Sequence, residues 1–217
     1  MAPTDPRILA IHRASSEFAE HWAGENEIRA TARARAAEVG CVAVSEGVGA
    51  VLRTLATTVD ARTVVEIGTG AGVSALWLLE GMHPDGVLTS VDVENEFQLI
   101  AKDAVAQAGI NPNRVRLING RSEEVLDRLT EDAYDIVFIS PRPLELSAHV
   151  ERAVLLLRKG GLLIIDRALW NDKLADPAQR DPETVALRGV LHDIHEDERL
   201  HSTLLAVGGG LLVASKR

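Results

Sequence analysis

Cysteine, aromatic residues and clustered positive charge are all scarce in this chain, and each scarcity closes off a class of function. One cysteine, Cys41, leaves no internal disulfide framework. Nothing around Cys41 activates it, so it reads as a small buried residue rather than a nucleophile. Net charge is −9, with no concentrated basic run, which argues against nucleic-acid partners held by their phosphates. No apolar stretch is long enough to span a bilayer and no secretory pattern opens the chain, so the expected setting is cytoplasmic, without a membrane partner. Aromatics make up only 3 % of residues, so each tryptophan calls for its own explanation. What remains is an ordinary balance of 46 % hydrophobic and 25 % charged residues. Its 217 residues suffice for one α/β domain with an appendage.

Residues 64–74, VVEIGTGAGVS, are the most informative stretch. An apolar run carrying Glu66 meets three alternate glycines, Gly68, Gly70 and Gly72, and a helix-forming run beginning at Ser74. Strand, glycine turn and helix in that order bring backbone N–H groups close to a ligand, and a nucleotide-like cofactor is the natural occupant. The bland alternative is a tight strand–helix turn with no ligand. The dinucleotide fingerprint is G-x-G-x-x-G. Here the third glycine falls one residue early and Val73 takes the fingerprint's last place. An acidic side chain at the mouth of the turn disfavours a pyrophosphate. It suits a ligand with a positive group and a carboxylate, such as S-adenosylmethionine.

Helices are expected over 5–23, 26–39 and 45–59, the last starting at Ser45 with Glu46 in its first turn. Strands follow at 63–67, 86–94, 114–118, 134–140 and 161–166, alternating with helices at 95–108, 122–130 and 144–158. A polar loop spans 167–182 and a helix 183–196. Two apolar runs, 200–207 and 211–217, flank Gly208-Gly209-Gly210 and read as an antiparallel hairpin. Alternating β/α units predict a parallel sheet with helices on both faces.

Ligands of such sheets sit at the carboxyl ends of the strands. Asp92, about 20 residues past the glycine turn, can accept both hydrogen bonds of a ribose diol. Ser122 reads as a cap of the helix it opens, beside an adenine pocket. Strand four ends in Ser140-Pro141-Arg142-Pro143 and strand five in Asp166-Arg167.

From about residue 40 onward the chain resembles the bacterial O-methyltransferases related to catechol and caffeoyl-CoA O-methyltransferases. The resemblance is carried by EIGTGAGVSALWL, LTSVDVE, YDIVFIS, LLRKGGLLIID with the following ALW, and GGGLLVASKR. It implies the class I methyltransferase fold, a Rossmann-like, mostly parallel seven-stranded sheet with a C-terminal antiparallel hairpin. It also implies an N-terminal helical appendage over 1–44 that covers the site and helps form a homodimer, with the catalytic domain over 45–217. S-adenosyl-L-methionine is the implied cofactor. Glu66, Gly68 and Ser74 would hold its methionine end, with Val44 and Ser45 near its carboxylate. Asp92 would hold the ribose, and Gly120, Ser122 and Glu123 would border the adenine.

The departures concern the acceptor side. The family ends strand four in Asp-x-Asp-Lys and strand five in Asp-Asn, residues that bind a divalent metal and help deprotonate the acceptor. Here Ser140 and Pro143 stand at the first aspartate and the lysine, and Arg167 at the asparagine. Hard cations want several oxygen ligands, so no tightly bound metal is expected between Ser140 and Asp166. Arg167, with Arg142, can instead supply positive charge to an oxyanion, while Asp166 orients it or takes the proton. The alternative is an Asp166–Arg167 pair that is merely structural.

His192 and His195 share a helix face with acidic neighbours and read as hydrated; His149 reads as structural. Trp170 either stacks on an aromatic acceptor or packs under its loop. Three functions remain open: a methyltransferase that acts on the oxygen of a small phenolic or similar hydroxyl acceptor at an altered acceptor site, a non-catalytic protein that binds S-adenosylmethionine or S-adenosylhomocysteine, and an NAD(P)-dependent oxidoreductase. The first fits the residues best; the glycine spacing, Glu66 and the hairpin argue against the third.

Overall fold

The computed structural model describes residues 5–140 and 142–217. Pro141 of the strand-four motif and the first four residues of the expected appendage lie outside the described residues.

Three helices precede the sheet: α1 (Pro6–Glu20), α2 (Glu27–Glu38) and α3 (Glu46–Thr58). Each opens on a side chain that accepts a backbone N–H: Asp5 from Arg7, Asn26 from Arg29 and Ser45 from Val48. Then come β1 (Thr63–Ile67), α4 (Val73–Gly81), β2 (Val87–Asp92), α5 (Asn95–Gln107), β3 (Val115–Asn119) and α6 (Ser122–Leu126). The second half comprises β4 (Tyr134–Ile139), α7 (Leu146–Leu156), β5 (Leu157–Ile165), α8 (Pro182–Glu196), β6 (Leu200–Leu205) and β7 (Leu211–Lys216). No helix among the described residues is long and apolar enough to cross a membrane.

The seven strands form one sheet in the order β3-β2-β1-β4-β5-β7-β6. The first five strands run parallel, while β7 pairs antiparallel with both β5 and β6. Side chains alternate between two cores, as strand geometry requires. Val64, Ile136, Phe138, Leu162 and Ile164 join the core with α3 and α4. Val65, Val137, Ile139, Leu163 and Ile165 join the core with α7 and α8. Strands buried on both faces explain why TVVEI and YDIVFI read as nearly continuous apolar runs. The register sets Ile67 opposite Ile139, Ile139 opposite Ile165 and Asp92 opposite Asn119, so the carboxyl ends of five strands finish along one line.

Two elements differ from the sequence reading. The expected helix 122–130 stops at Leu126, where the Arg152 guanidinium caps it by donating to the carbonyls of Leu126 and Leu129. The expected helix 144–158 ends at Leu156, and β5 begins at once with Leu157 paired to Tyr134. Gly160-Gly161 is therefore a kink inside β5 rather than a stop between helix and strand. Gly160 has φ 75°, and a Cβ on Gly161 would lie 2.9 Å from the Tyr134 carbonyl oxygen.

Candidate functional site

Gly68, Gly70 and Gly72 all adopt positive φ, and two of them also have no room for a side chain. A Cβ on Gly68 would lie 2.9 Å from Ser140 Cβ, and one on Gly72 would lie 2.9 Å from Ala101 of α5. Gly72 is thus required by helix packing and by its left-handed conformation at the start of α4 (φ 84°); it is buried rather than presented to a ligand. Gly72→Ala is expected to lower stability by about 2–3 kcal/mol through backbone strain and crowding, to be read as a shift in the urea unfolding midpoint.

Glu66 lies beneath the turn. It is fully buried, accepts a hydrogen bond from Ser74 Oγ at 2.6 Å, and accepts another from the Ser90 hydroxyl. Burial pushes its carboxyl up to about 7, although both hydroxyls favour the charged form. The expected direct contact with a cofactor is replaced by a support: Glu66 holds α4 and β2 at the turn through their serines.

Asp92, at the end of β2, accepts from the Gly70 N–H at 2.9 Å and from the Glu94 N–H at 3.0 Å. The carboxylate is fixed by backbone donors and still borders open space on both sides. The first cavity, about 320 Å³, is lined by Gly68, Asp92, Gly120, Ser122 and His149 among others. The second, about 260 Å³, is lined by Val44, Gly68, Gly70, Ser74, Ser140 and Arg167 among others. Both touch Gly68, Asp92, Ser140 and Arg142, so they form one groove across the strand ends.

Ser122 was expected as a cap, but Arg121 occupies that position and Ser122 begins the helix. Its Oγ lies 2.7 Å from His149 Nε2. Burial pulls the His149 ring below the usual imidazole range despite the nearby carboxylates of Glu123 and Glu145. The neutral ring is a wall of the first cavity, which refines its reading as structural.

Arg167 stands at the far end of the groove. It is a non-glycine residue at φ 50°, a conformation retained only where the surroundings hold it. The turn at Gly208-Gly210 does so. The Ala168 and Leu169 N–H groups donate to the Gly210 and Gly209 carbonyls, both at 2.9 Å, and a Cβ on Gly209 would come 3.2 Å from Arg167 Cγ. The guanidinium Nη2 donates to Ser140 Oγ at 2.8 Å, and Nε lies 3.7 Å from Asp166 Oδ2. Asp166 itself is 3 % exposed and lines neither cavity. Burial pushes its carboxyl up, against the pull of the Arg167 charge. Asp166 therefore backs the guanidinium, and the expectation that it takes an acceptor's proton loses its geometric basis.

The divalent metal implied by the sequence resemblance does not fit this place. Its donors would be one buried carboxylate and a hydroxyl already engaged by a cationic guanidinium, whereas magnesium or calcium needs several free oxygens. Trp170 packs against the second core and lines neither cavity, so of its two readings the structure takes the packing one. His192 and His195 are exposed.

The structure thus brings together Val44, Gly68, Gly70, Ser74, Asp92, Gly120, Ser122, Ser140 and Arg167 along one groove. It places Glu66, Gly72 and Asp166 beneath the surface. Sequence reasoning missed the segment Cys41–Ala43 and Phe97, which also line the second cavity. They carry no motif, and only the tertiary approach of the α2–α3 link reveals them.

Comparison with known proteins places this geometry among relatives. A sequence model described as O-methyltransferase matches residues 13–217. A protein of Mycobacterium ulcerans that carries an O-methyltransferase name is 46 % identical over 98 % of this chain and 92 % of its own length. A likewise named protein of Mycobacterium sp. strain JLS is 50 % identical, covering 91 % and 90 %. A crystal structure from Corynebacterium glutamicum has a TM-score of 0.87 at 35 % identity, covering 95 % of this chain and 97 % of that one. The O-methyltransferase TomG of Streptomyces achromogenes, involved in tomaymycin synthesis and solved with S-adenosylmethionine, has a TM-score of 0.80 at 27 % identity, covering 88 % and 90 %.

Proposed function

The chain belongs to the O-methyltransferase family, and from that premise we propose that it methylates an oxygen of a small acceptor with S-adenosylmethionine and without a divalent metal. The observation that carries this reading is the pairing of Asp92 with the glycine turn, at the junction of two ligand-sized cavities. Asp92 receives the ribose diol. Gly120, Ser122 and His149 border the adenine. Val44, Gly68, Gly70 and Ser74 surround the methionine end, with Glu66 and Gly72 fixing the turn from below. Ser140 and Arg167, which line the same cavity, would border the methyl group that such a cofactor supplies.

Methyl transfer from a sulfonium is an in-line displacement, and alignment supplies most of the protein's contribution. Arginine stays protonated and cannot act as base. Arg167 instead stabilises negative charge on the acceptor, and Asp166 holds the guanidinium in place. We assign residues 1–44 as an appendage and 45–217 as the catalytic domain. A homodimer is supported by α1, which buries none of its residues against the described chain and exposes Ile8, Leu9, Ile11 and Phe18, with Trp22 exposed just beyond its end.

Calorimetric titration with S-adenosylmethionine tests the reading. Micromolar binding is expected, unchanged by magnesium or by a chelator. Asp92→Ala removes both the ribose acceptor and the anchor of the Gly70 N–H, and it is expected to weaken binding about 30- to 100-fold. No binding by the unaltered protein, or an Asp92→Ala affinity within threefold of it, would defeat the proposal. A non-catalytic cofactor-binding protein is the outcome if the titration succeeds and no acceptor of any class is methylated.

A further inference from the structure

At the acceptor end of the groove the described lining holds two guanidiniums and one carboxylate, Asp92, which backbone N–H groups already engage. The Arg167 guanidinium makes one hydrogen bond to the described residues, from Nη2 to Ser140 Oγ. Its Nε is buried with no hydrogen-bond partner among them, and Asp166 lies 3.7 Å away. Arg142, exposed at the same cavity, reaches Glu94 and Glu145 only at 4.0 Å. Two guanidiniums, one of them backed from beneath by the Asp166 carboxylate, therefore converge on one cavity.

The titratable side chains lining that second cavity are Cys41, Asp92, Arg142 and Arg167. Asp92 is tied to two backbone amides. Cys41 is half-buried, and burial pushes its thiol up, so it is a proton donor rather than an acceptor at neutral pH. Asp166 lies outside the lining, and Pro143 stands where a lysine base could have been. A phenol or alcohol must lose its proton to attack, and no unengaged base is among the described residues that line this cavity. A carboxylic acid is already ionised at neutral pH. A planar guanidinium also matches a carboxylate in shape as well as in charge.

Resting on the methyltransferase reading above, we propose that the acceptor is a carboxylic acid, received by Arg167 and methylated on its carboxylate oxygen. The guanidinium holds one oxygen, and the other attacks. An oxygen lone pair forms the new O–CH₃ bond while the methyl–sulfonium C–S bond breaks and its electron pair returns to sulfur. A carboxylate and a sulfonium become a neutral methyl ester and a neutral thioether, and no proton moves. The loss of the hydroxyl-deprotonating residues then follows from the substrate class. Arg142 stands at the entrance and attracts the anion.

The test uses the full chain, methyl-labelled S-adenosylmethionine, and the acids benzoate, salicylate, phenylacetate, hexanoate and succinate, with phenol, catechol and benzamide beside them. Methyl esters release labelled methanol in mild alkali, whereas aryl methyl ethers do not. Alkali-labile label on the acids is expected, with a rate at saturating cofactor that is flat between about pH 6 and 9 because the nucleophile is ionised throughout. Arg167→Gln is expected to reduce kcat/KM on the best acid at least 100-fold with the cofactor Kd changed less than threefold. Arg167→Lys, which keeps the charge and guards against a folding artefact, should lose about tenfold.

Alkali-stable label confined to phenol or catechol would overturn the proposal. So would equal loss of cofactor affinity in Arg167→Gln, since the anion held there would then be the cofactor's own carboxylate. Tight cofactor binding with no acid methylated overturns the acceptor assignment and leaves the methyltransferase reading standing. Absence of cofactor binding defeats that reading itself.

Discussion

Replacing Trp77 by alanine is expected to lower the unfolding free energy by roughly 3–5 kcal/mol, the usual range for removing a large buried aromatic. Trp77 is fully buried at the centre of α4, the helix that the glycine turn launches. Its indole fills the space that Gly49 leaves open on α3: a Cβ there would fall 2.2 Å from Nε1. Arg29 is buried, at 6 % exposure, and its guanidinium stacks 3.9 Å from the ring centroid, with that of Arg53 at 5.0 Å. Alanine would leave a cavity between two helices and remove the aromatic face beneath a desolvated cation. Trp77→Phe keeps most of that face and removes an indole N–H that has no partner among the described residues, so about 1–2 kcal/mol is expected there. Gly49→Ala should be destabilising alone and nearly neutral in the Trp77→Ala background, with a coupling above about 1 kcal/mol in a double-mutant cycle. Additive urea unfolding energies would show that the ring does not fill the space beside Gly49.

The parts of this molecule legible in its sequence are those whose cause is local. Ser45 accepts from the Val48 N–H as a helix cap should. The three glycines take the left-handed conformations that a strand–helix turn needs. The alternation of apolar runs and helices predicted the parallel sheet, and the glycine-separated runs predicted the hairpin. Illegible features depend on residues far apart in the chain. Arg152 caps the end of α6 from 26 residues away. Gly160-Gly161 resembles a helix terminus locally, and only the pairing of Leu157 with Tyr134 makes it a bulge. Glu66 looks like a ligand at the mouth of a turn until Ser74 and Ser90 are seen to enclose it. Gly209 gives no hint in sequence that it makes room for Arg167. The site was readable where one motif supplies the groove, and unreadable where burial decides which of two adjacent residues faces it.

Burial of Glu66 makes stability depend on pH in a defined direction. Its carboxyl is pushed up to about 7 in the folded protein, against an ordinary value of 4.5. Between those values the folded state holds a proton that the unfolded state has released. The contribution of this group to stability is therefore greatest below about pH 4.5, falls as pH rises through 7, and is level above. The change is on the order of 3 kcal/mol. Glutamine keeps an acceptor and a donor for the two serine hydroxyls and does not ionise. Glu66→Gln should match the unaltered protein at pH 4.5 and exceed it by up to about 3 kcal/mol at pH 8, measured as paired urea unfolding curves so that all other titrating groups cancel. Parallel curves across that range would mean that Glu66 is charged throughout and that the two serines suffice to hold the anion. The same ionisation bears on the cofactor. A ligand bringing a sulfonium and an ammonium above the turn favours the charged carboxyl, so binding below pH 7 should release a proton and tighten as pH rises toward 7. In Glu66→Gln that pH dependence should disappear. Ionisation of this buried carboxyl thus opposes folding at neutral pH and favours the bound state, and the two effects are expected to share one titration midpoint.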